Sequence, residues 1–389
     1  MSSGAGTMRG MGPHRRTRVL FSAVGGHGHL DPLLPLAAAA ASGGHEVLVT
    51  GAAALAEHVA GHGLAFVASG PDLVSIRAPL TLHDLDHERG AIGRHFAARL
   101  GHERAAAVIA VARDWTPDVI VRDEVDFGAA VAAEVIGLPH AAVVVLAAGG
   151  FILPEVADEP LRALREAFGL PREDGMAMLH RHLTLTPFPA AYRDPAFPVP
   201  GNLVAYRAVP DRRNEVKARE TVVFVTLGTI FNTEAGDLMS RLVAGAAACP
   251  GVDRVVAATG PHIGVEELGA QPDHVTVHGF VAQDEVLASC AAVVSHAGSG
   301  TVLGALSHGL PMVCLPMGAD QPLNAARCEQ LGLGLRLPPD TVRPEGVTTA
   351  LTAVLSEASY RDAARRMQAE WQRLPDAAIA VDAVLDLVR

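Results

Sequence analysis

Short apolar runs alternate with longer helical patterns along most of the chain. In the first half, these runs are typical of buried strands, because they are rich in aliphatic residues and bounded by glycine or polar residues. They are RVLFSAV (18–24), HEVLVTG (45–51), LAFVASG (64–70), PDVIVRD (117–123) and AAVVVLA (141–147). Helical patterns such as FGAAVAAEVIG (127–137) lie between them. This alternation predicts a parallel sheet with helices on both faces.

The same alternation starts again in the second half of the chain. Its apolar runs are TVVFVTLGT (221–229), RVVAATG (254–260), HVTVHGF (274–280), AAVVSHAG (291–298) and PMVCLP (311–316). A length of 389 residues suits two domains of ordinary size. We therefore predict the α/β class, with two tandem Rossmann-like domains. Each has a doubly wound parallel sheet, and the two face each other across a cleft.

The alternation is lost between 151 and about 220, where prolines cluster and a charged run, PDRRNEVKARE, occupies 210–220. This composition is typical of an interdomain linker. We predict a disordered lead at 1–17, a first domain at 18–210, a linker at 211–220 and a second domain at 221–370. The last predicted segment is a C-terminal helix at 371–389. One arrangement that the sequence leaves open is that this helix packs back on the first domain.

Charge and hydropathy exclude several function classes. The net charge is −11 and no dense Lys/Arg cluster occurs, so nucleic-acid binding lacks its electrostatic basis. The first 17 residues lack the apolar core of a signal peptide. The uncharged stretch 136–154 is interrupted by proline and glycines, and favours a buried strand over a membrane helix. We expect a cytoplasmic protein that does not bind membranes.

The cysteines are not spaced for metal or redox chemistry. They are Cys249, Cys290, Cys314 and Cys328, and no pair forms C-x-x-C. We expect buried free thiols, as in a reducing compartment. The 18 histidines include no H-E-x-x-H or comparable ligand set, so we predict no metal site.

The segment SHAGSGT (295–301) has the chemistry of an anion site. A strand ends at His296, and small residues then begin a helix, whose N-terminus exposes free N–H groups. The side chains of His296, Ser299 and Thr301 add hydrogen-bond donors. Thr229 and the amide of Gly228, at the end of another strand, can reach the same phosphate. An ordinary strand–helix turn is the alternative.

The segment GADQ (318–321) follows the next strand. Asp320 and Gln321 are paired polar groups that suit sugar hydroxyls. A simple N-cap role for Asp320 in the following helix is the alternative.

The turn GGHGHLDP (25–32) follows the first strand. It lacks the third glycine of G-x-G-x-x-G, and Glu46 precedes the second strand instead of ending it, so NAD binding is disfavoured. A histidine here suits a general base, which needs a pKa near 7 and a carboxylate behind it. Asp123 ends another strand of the same sheet, on the same rim.

Several segments together carry a family resemblance. VTLGT (225–229), GFVAQ (279–283), SHAGSGT, HGLPMVCLP (308–316) and ADQPLNA (319–325) resemble the nucleotide-sugar domain of GT-B glycosyltransferases. The resemblance is to the family-1 group that decorates natural products, and among them to the bacterial enzymes that glycosylate antibiotics. It extends from Arg18 to the last helix, and is weakest at 71–116 and 151–215.

The resemblance implies roles for individual residues. The base would be His29 of the H-x-x-P turn His29–Pro32, and Asp123 its partner. His27 remains a rival for the base, and Glu124 and Asp126 for the carboxylate. The nucleotide and its phosphates would be held by Gly228, Thr229, Phe280, Gln283, His296, Gly298, Ser299, Gly300 and Thr301, with Phe280 stacking on the nucleobase. Asp320 and Gln321 would bind the donor sugar.

One departure from the family pattern concerns the nucleotide. UDP-using relatives often carry a glutamate eight residues after this histidine, where it binds both ribose hydroxyls. Here that position is Gly304, which favours a dTDP-activated, deoxygenated sugar. The resemblance thus implies an inverting, metal-independent hexosyltransferase with no cofactor. Its partners would be a nucleotide sugar and an apolar acceptor bound by the first domain. The sequence leaves open whether the protein forms a homodimer.

Three alternatives remain. A non-catalytic relative with the same fold would bind without transferring sugar. A sugar-nucleotide epimerase of the same architecture would need no separate acceptor. An oxidoreductase is disfavoured by the broken glycine pattern at 25–32.

Overall fold

The fold consists of two parallel sheets covered by helices. The computed structural model describes residues 16–72, 82, 84–199, 201–209 and 220–389. The predicted lead up to residue 15 and the predicted linker from 211 to 219 lie outside the described residues. Thr17, which the sequence assigned to the lead, is already buried, and its carbonyl accepts a hydrogen bond from Glu46 N at 2.9 Å. Packed structure therefore begins before Arg18.

The first sheet has seven parallel strands in the order β3-β2-β1-β4-β5-β6-β7. They are β1 (Arg18–Ser22), β2 (Glu46–Gly51), β3 (Ala65–Ala68), β4 (Val119–Asp123), β5 (His140–Val143), β6 (Leu183–Thr186) and β7 (Leu203–Ala205). Its helices are α1 (His27–Leu30), α2 (Leu34–Ser42), α3 (Ala56–Gly61), α4 (Leu85–Ala91), α5 (Gly101–Trp115), α6 (Phe127–Ile136) and α7 (Pro154–Ala167). A π-helical segment, Ile92–Leu100, joins α4 to α5, and 3₁₀ turns occupy Ala53–Leu55 and Gly175–His180.

The second sheet has six parallel strands in the order β10-β9-β8-β11-β12-β13. They are β8 (Val222–Thr226), β9 (Arg254–Ala258), β10 (Val275–His278), β11 (Cys290–Ser295), β12 (Met312–Cys314) and β13 (Gly334–Arg336). The helices from β8 onward are α8 (Leu238–Ala247), α9 (Gln283–Leu287), α10 (Ser299–His308), α11 (Gln321–Gln330), α12 (Pro344–Ser356), α13 (Ala358–Gln372) and α14 (Ala377–Asp386). Short 3₁₀ turns lie at Phe231–Glu234 and Val265–Leu268.

Both sheets reverse their strand order at one point, and ligands of such sheets bind at that point, beyond the carboxyl ends of the strands. In the first sheet the reversal lies between β1 and β4, which pair directly. In the second it lies between β8 and β11. The predicted base turn and anion turn follow β1 and β11, so each lies at a reversal.

The linker-like composition of 151–220 does not describe residues 151–209, which the predicted bounds placed in the first domain. This stretch contains α7, β6 and β7, and the two strands extend the first sheet. The sequence pattern did not predict β6 and β7 because both strands are very short and prolines such as Pro187 and Pro189 follow β6 closely. The predicted strand 141–147 is also shorter, since β5 ends at Val143 and the chain continues as a loop.

The last helix of the chain packs on the first sheet's side of the molecule. In α14, Ala380, Val381, Val384 and Leu385 are buried in the same apolar core as β1 and α2. The chain reaches that core beside Arg207, whose N–H donates to the Pro375 carbonyl at 2.8 Å. The C-terminus is thus part of the first domain's core.

No helix within the described ranges is long and apolar enough to cross a membrane. The uncharged stretch 136–154 is divided among the end of α6, β5 and the loop after it.

Candidate active site

His29 and Asp123 meet at the rim of the first sheet. His29 lies in α1, just after β1, and Asp123 ends the neighbouring strand β4. His29 Nδ1 is 3.5 Å from Asp123 Oδ1. Asp123 is fully buried, and its oxygens accept hydrogen bonds from the backbone N–H groups of Val24, Val125 and Asp126 at 2.7, 2.8 and 3.0 Å. These amides hold the carboxylate in place behind the imidazole.

The surroundings of His29 suit a general base. Burial disfavours the charged imidazolium, yet the hydrogen bond and charge of Asp123, with the charges of Asp320 and Glu124, raise the pKa of His29 above its ordinary value. With an Nδ1–H donated to Asp123, Nε2 carries a lone pair and is able to accept a proton. The ring also lies parallel to that of Phe96, with centroids 6.4 Å apart.

The two rival carboxylates, Asp126 and Glu124, interact with other groups instead of with His29. Asp126 caps α6 and forms a buried ion pair with Arg104 at 2.7 Å. Glu124 Oε1 accepts from the backbone N–H groups of residues 145 and 146 at 2.7 and 2.6 Å. Asp123 is therefore the carboxylate that the structure brings to His29.

The rival base His27 has different neighbours. Its ring packs edge-to-face on His58, with centroids 4.3 Å apart. Its pKa is lowered by burial and by the charge of His58, against the opposing charge of Asp31. His27 is thus poorly placed to share the buried Asp123 with His29.

The anion turn lies at the N-terminus of α10. Its N-cap is Gly298, and no side chain among the described residues caps the helix, so its first N–H groups are available to a ligand. His296 precedes it and is 9% exposed, and its Nδ1 is buried without a hydrogen-bond partner in the described part of the chain. Burial lowers the pKa of His296 to about 4, so the ring is neutral near pH 7. A neutral imidazole can still donate one N–H to a phosphate oxygen.

Two glycines make room for the His296 ring. A Cβ on Gly228 would lie 2.7 Å from the ring, and a Cβ on Gly298 would lie 2.4 Å from its Nε2. Gly228 also has φ +72°, a conformation that side chains rarely adopt. Thr229 follows it and is half-buried. Glycine at 228 and 298 therefore lets the ring lie between the ends of β8 and β11.

The two hydroxyl groups predicted to contact phosphate form hydrogen bonds with other side chains in this structure. Ser299 Oγ donates to Asp320 Oδ2 at 2.6 Å and accepts from Ala147 N at 2.8 Å. Thr301 Oγ1 donates to Gln283 Oε1 at 3.3 Å. Since each hydroxyl has one proton, both donors are occupied. The backbone N–H groups of Ser299, Gly300 and Thr301 are the donors that these residues offer to phosphate in this structure.

The predicted sugar-binding pair starts α11. Asp320 is buried, which raises the pKa of its carboxyl against the hydrogen bonds from Ser299 and Asn324. Gln321 Oε1 accepts from the N–H groups of Met317 and Gly318 at 2.8 and 3.2 Å, so its carbonyl stabilises its own loop. The charge of Asp320 also helps to raise the pKa of His29.

Asn324 is a site residue that sequence reasoning missed. It is fully buried, and its Nδ2 donates to Ala297 O at 3.0 Å and Asp320 Oδ2 at 2.8 Å. Its Oδ1 accepts from Ala148 N of the first domain at 3.0 Å. Its position one helical turn after Asp320 could have pointed to it. Asn324 joins the anion loop, the sugar loop and the first domain.

The position expected to stack on the nucleobase is open. Phe280 is 70% exposed, unusual for a large aromatic side chain. Three residues after Phe280, Gln283 fills the space beside Gly304. A Cβ added to Gly304 would lie 2.4 Å from Gln283 Nε2. Phe280 is therefore free to contact a ligand, and the Gln283 side chain fills the space beside Gly304.

Comparison with known proteins agrees with this architecture. A family model described as "Erythromycin biosynthesis protein CIII-like, C-terminal domain" matches residues 244–387. The chain is 31% identical to "Elloramycin glycosyltransferase ElmGT" of Streptomyces olivaceus, covering 92% of this chain and 94% of that one. It is 29% identical to "3-alpha-mycarosylerythronolide B desosaminyl transferase" of Saccharopolyspora erythraea, with coverage of 94% and 96%.

A solved structure shows the same fold. The crystal structure of the glycosyltransferase VinC in complex with DTDP superposes with a TM-score of 0.75 at 23% identity, covering 95% of this chain and 99% of that one. The chain thus has two parallel sheets, each with one reversal of strand order, and it resembles known glycosyltransferases over almost its full length. This chain belongs to the GT-B natural-product glycosyltransferases.

Proposed function

We propose that this enzyme transfers a deoxysugar from a dTDP-activated donor to a hydroxyl group of an apolar natural product in antibiotic biosynthesis, with inversion at the anomeric carbon. The observation that carries the proposal is the pairing of His29 with the buried Asp123 at the strand-order reversal of the first sheet. Relatives named for desosamine transfer and a structural neighbour holding DTDP support the sugar and nucleotide classes.

The reaction is a single displacement. His29 Nε2 removes the proton of the acceptor hydroxyl as its oxygen attacks the anomeric carbon of the donor. The bond from that carbon to the diphosphate breaks, and the leaving group departs from the opposite face, which inverts the centre. Asp123 stabilises the imidazolium that forms.

The charge of the leaving diphosphate is stabilised at the N-terminus of α10. The N–H groups of Ser299, Gly300 and Thr301 and the ring of His296 supply donors there. This arrangement stabilises the developing charge through protein donors, so we propose that transfer proceeds without a divalent cation. Activity unchanged by a chelator is the expected result.

The acceptor approaches from the first domain. Phe96 presents an aromatic face beside His29. A cavity of about 550 Å³ is lined by Glu124 and Arg193 and by apolar side chains that include Phe151, Met176 and Phe197. This volume is within the range of small-molecule sites. Its aromatic and aliphatic walls support an apolar acceptor.

The preference for dTDP is proposed from Gly304. A carboxylate there would bind the 2′-hydroxyl that dTDP lacks, but Gly304 has no side chain and Gln283 fills the adjacent space. Leu287 lies 2.7 Å from the same Cβ position. A ribose-binding group is therefore missing where UDP would need one.

Calorimetric titration with dTDP, UDP and NAD tests the donor site. We expect dTDP to bind at least about tenfold more tightly than UDP, a difference of about 1.4 kcal/mol, and NAD not to bind. His296→Ala should weaken both diphosphates. Tighter UDP binding would overturn the inference from Gly304, and failure of both diphosphates to bind would overturn the donor site itself.

Transfer is then assayed with dTDP-deoxysugars and apolar polyketide acceptors, and the anomeric configuration of the product is read by NMR. An inverted product supports direct displacement, and a retained configuration contradicts it. Conversion of a dTDP-sugar to its epimer without an acceptor would favour the epimerase alternative.

A further inference from the structure

One cluster of titratable side chains is not used by the proposed reaction. His27 and Asp31 lie one helical turn apart at α1, and His58 comes from α3. A ring nitrogen of each histidine and a carboxylate oxygen of Asp31 lie within 4.8 Å of one another. Among the described residues, no other group of three His, Cys, Asp or Glu side chains has ligand atoms within this distance of one another.

The three side chains already interact. His58 Nε2 and Asp31 Oδ1 are 2.8 Å apart, and the His27 ring packs on that of His58 with centroids 4.3 Å apart. The His58 side chain is 24% exposed and that of Asp31 53%. The group is thus preassembled by packing, and an ion and its water ligand can reach it from solvent.

The donor set matches a borderline divalent metal ion. Imidazole nitrogen and carboxylate oxygen are common zinc ligands, and a site with three protein ligands keeps a fourth position for water. Ligand atoms at about 2.0–2.1 Å from zinc in a tetrahedral site lie roughly 3.3 Å apart. Small side-chain rotations therefore bring the three ligand atoms to that spacing.

We propose that His27, Asp31 and His58 form a binding site for Zn²⁺ or a similar first-row divalent ion. On binding, the metal replaces the His58–Asp31 hydrogen bond. An imidazolium form of His58 loses its Nε2 proton to solvent, and a neutral His58 binds through Nε2 with its one proton on Nδ1. Sequence spacing predicted no metal site because the ligands come from two helices and form no continuous motif.

The consequence of binding is structural. The ion would tie α3 to α1, the short helix that also carries His29. A ligand that binds only the folded protein raises the temperature of unfolding. This inference does not depend on the proposed transferase reaction, since none of the three ligands is part of it.

The test is calorimetric titration of the full chain with Zn²⁺, together with the visible absorption spectrum of the Co²⁺-loaded protein. We expect one tight site per chain, a tetrahedral Co²⁺ spectrum and a higher melting temperature with Zn²⁺. His58→Ala and Asp31→Asn should each weaken Zn²⁺ binding by at least about tenfold, because even loss of an outer-shell partner costs about 10–100-fold.

The matched control is His262→Ala, which removes an exposed histidine of the second domain. It should leave Zn²⁺ affinity and the melting shift unchanged. Circular dichroism of the metal-free variants checks that each one folds. Absence of a Zn²⁺ site in the wild type, or equal binding by His58→Ala, Asp31→Asn and His262→Ala, overturns the proposal.

Discussion

At the scale of single residues, the proposed transfer reaction depends on the interactions that orient the imidazole of His29. Its Nδ1 faces a carboxylate that three backbone amides fix in place, and its pKa is raised. Only the neutral imidazole can accept the acceptor's proton. Activity should therefore fall as the pH drops through the raised pKa of His29. The position of this acid limb depends on Asp123, because Asp123 raises that pKa.

Asp123→Asn should move that limb. Loss of the negative charge removes a cause that raises the pKa of His29, so the acid limb of kcat/KM shifts to lower pH. The plateau should fall by about 10²–10⁴-fold, because the tautomer and the imidazolium are no longer stabilised. A pH profile of transfer measures both effects. Asp86→Asn, 94% exposed on α4, is the control and should change neither; a limb that shifts upward would contradict the assignment.

Gly228→Ala should damage nucleotide binding. The added Cβ would lie 2.7 Å from the His296 ring and displace it from the anion turn. We expect dTDP affinity, measured by calorimetry, to fall by at least about tenfold, equal to about 1.4 kcal/mol. Gly251→Ala is the matched control, because Gly251 has φ +82° with no atom within 4 Å of the added Cβ. Equal losses of affinity in both variants would indicate backbone strain alone.

At the scale of elements, buried polar groups join the helices to the first sheet. Arg104 of α5 is 2% exposed, and it pairs with Asp126 at the start of α6. It also donates to Ser22 Oγ of β1 and to Ser69 O, at 2.7 and 2.6 Å. A single guanidinium thus connects a strand end, a loop and two helices.

Arg104→Ala should destabilise the protein strongly. It leaves the buried Asp126 carboxylate without its cation, which typically costs about 3–5 kcal/mol in the free energy of unfolding. Urea denaturation measures the loss. Arg99→Ala removes an exposed arginine paired with Glu103, and should stay within about 0.5 kcal/mol of the wild type. A small loss for Arg104→Ala would mean that solvent or another cation reaches Asp126.

Strand and helix types along the chain were largely predictable, and the failures are instructive. Runs such as 18–24 and 221–229 are long, apolar and flanked by glycine, so tertiary context could not change them. The strands β6 and β7 were missed because four and three residues carry little periodicity. They form only because β5 offers an edge to pair with.

At the scale of the whole molecule, the two domains are joined by buried contacts of two kinds. Asn324 and Ser299 of the second domain bond to the backbone of Ala148 and Ala147 in the first. The last helix, α14, follows the second domain in sequence but packs in the first domain's core. The cleft geometry therefore depends on the chain's final residues.

Leu385→Ala tests that dependence. Leu385 is 4% exposed in the core shared with α2, and loss of a buried leucine typically costs about 2–5 kcal/mol. Ile379→Ala is the control on the same helix, since Ile379 is 54% exposed, and it should cost far less. Chemical denaturation followed by circular dichroism compares them. Equal, small losses would show that α14 contributes little to the first domain.

The sequence by itself determined the α/β class, the two-domain repeat and the position of His29, Asp123 and His296 at strand ends, because these follow from local apolar pattern and parallel topology. It also determined the absence of a carboxylate at Gly304. Only the tertiary structure decided that the Ser299 and Thr301 hydroxyls are occupied, that Asn324 bridges the domains, and that His27, Asp31 and His58 converge. Hydrogen-bond partners and ligand clusters depend on which distant segments meet, and no local pattern encodes that.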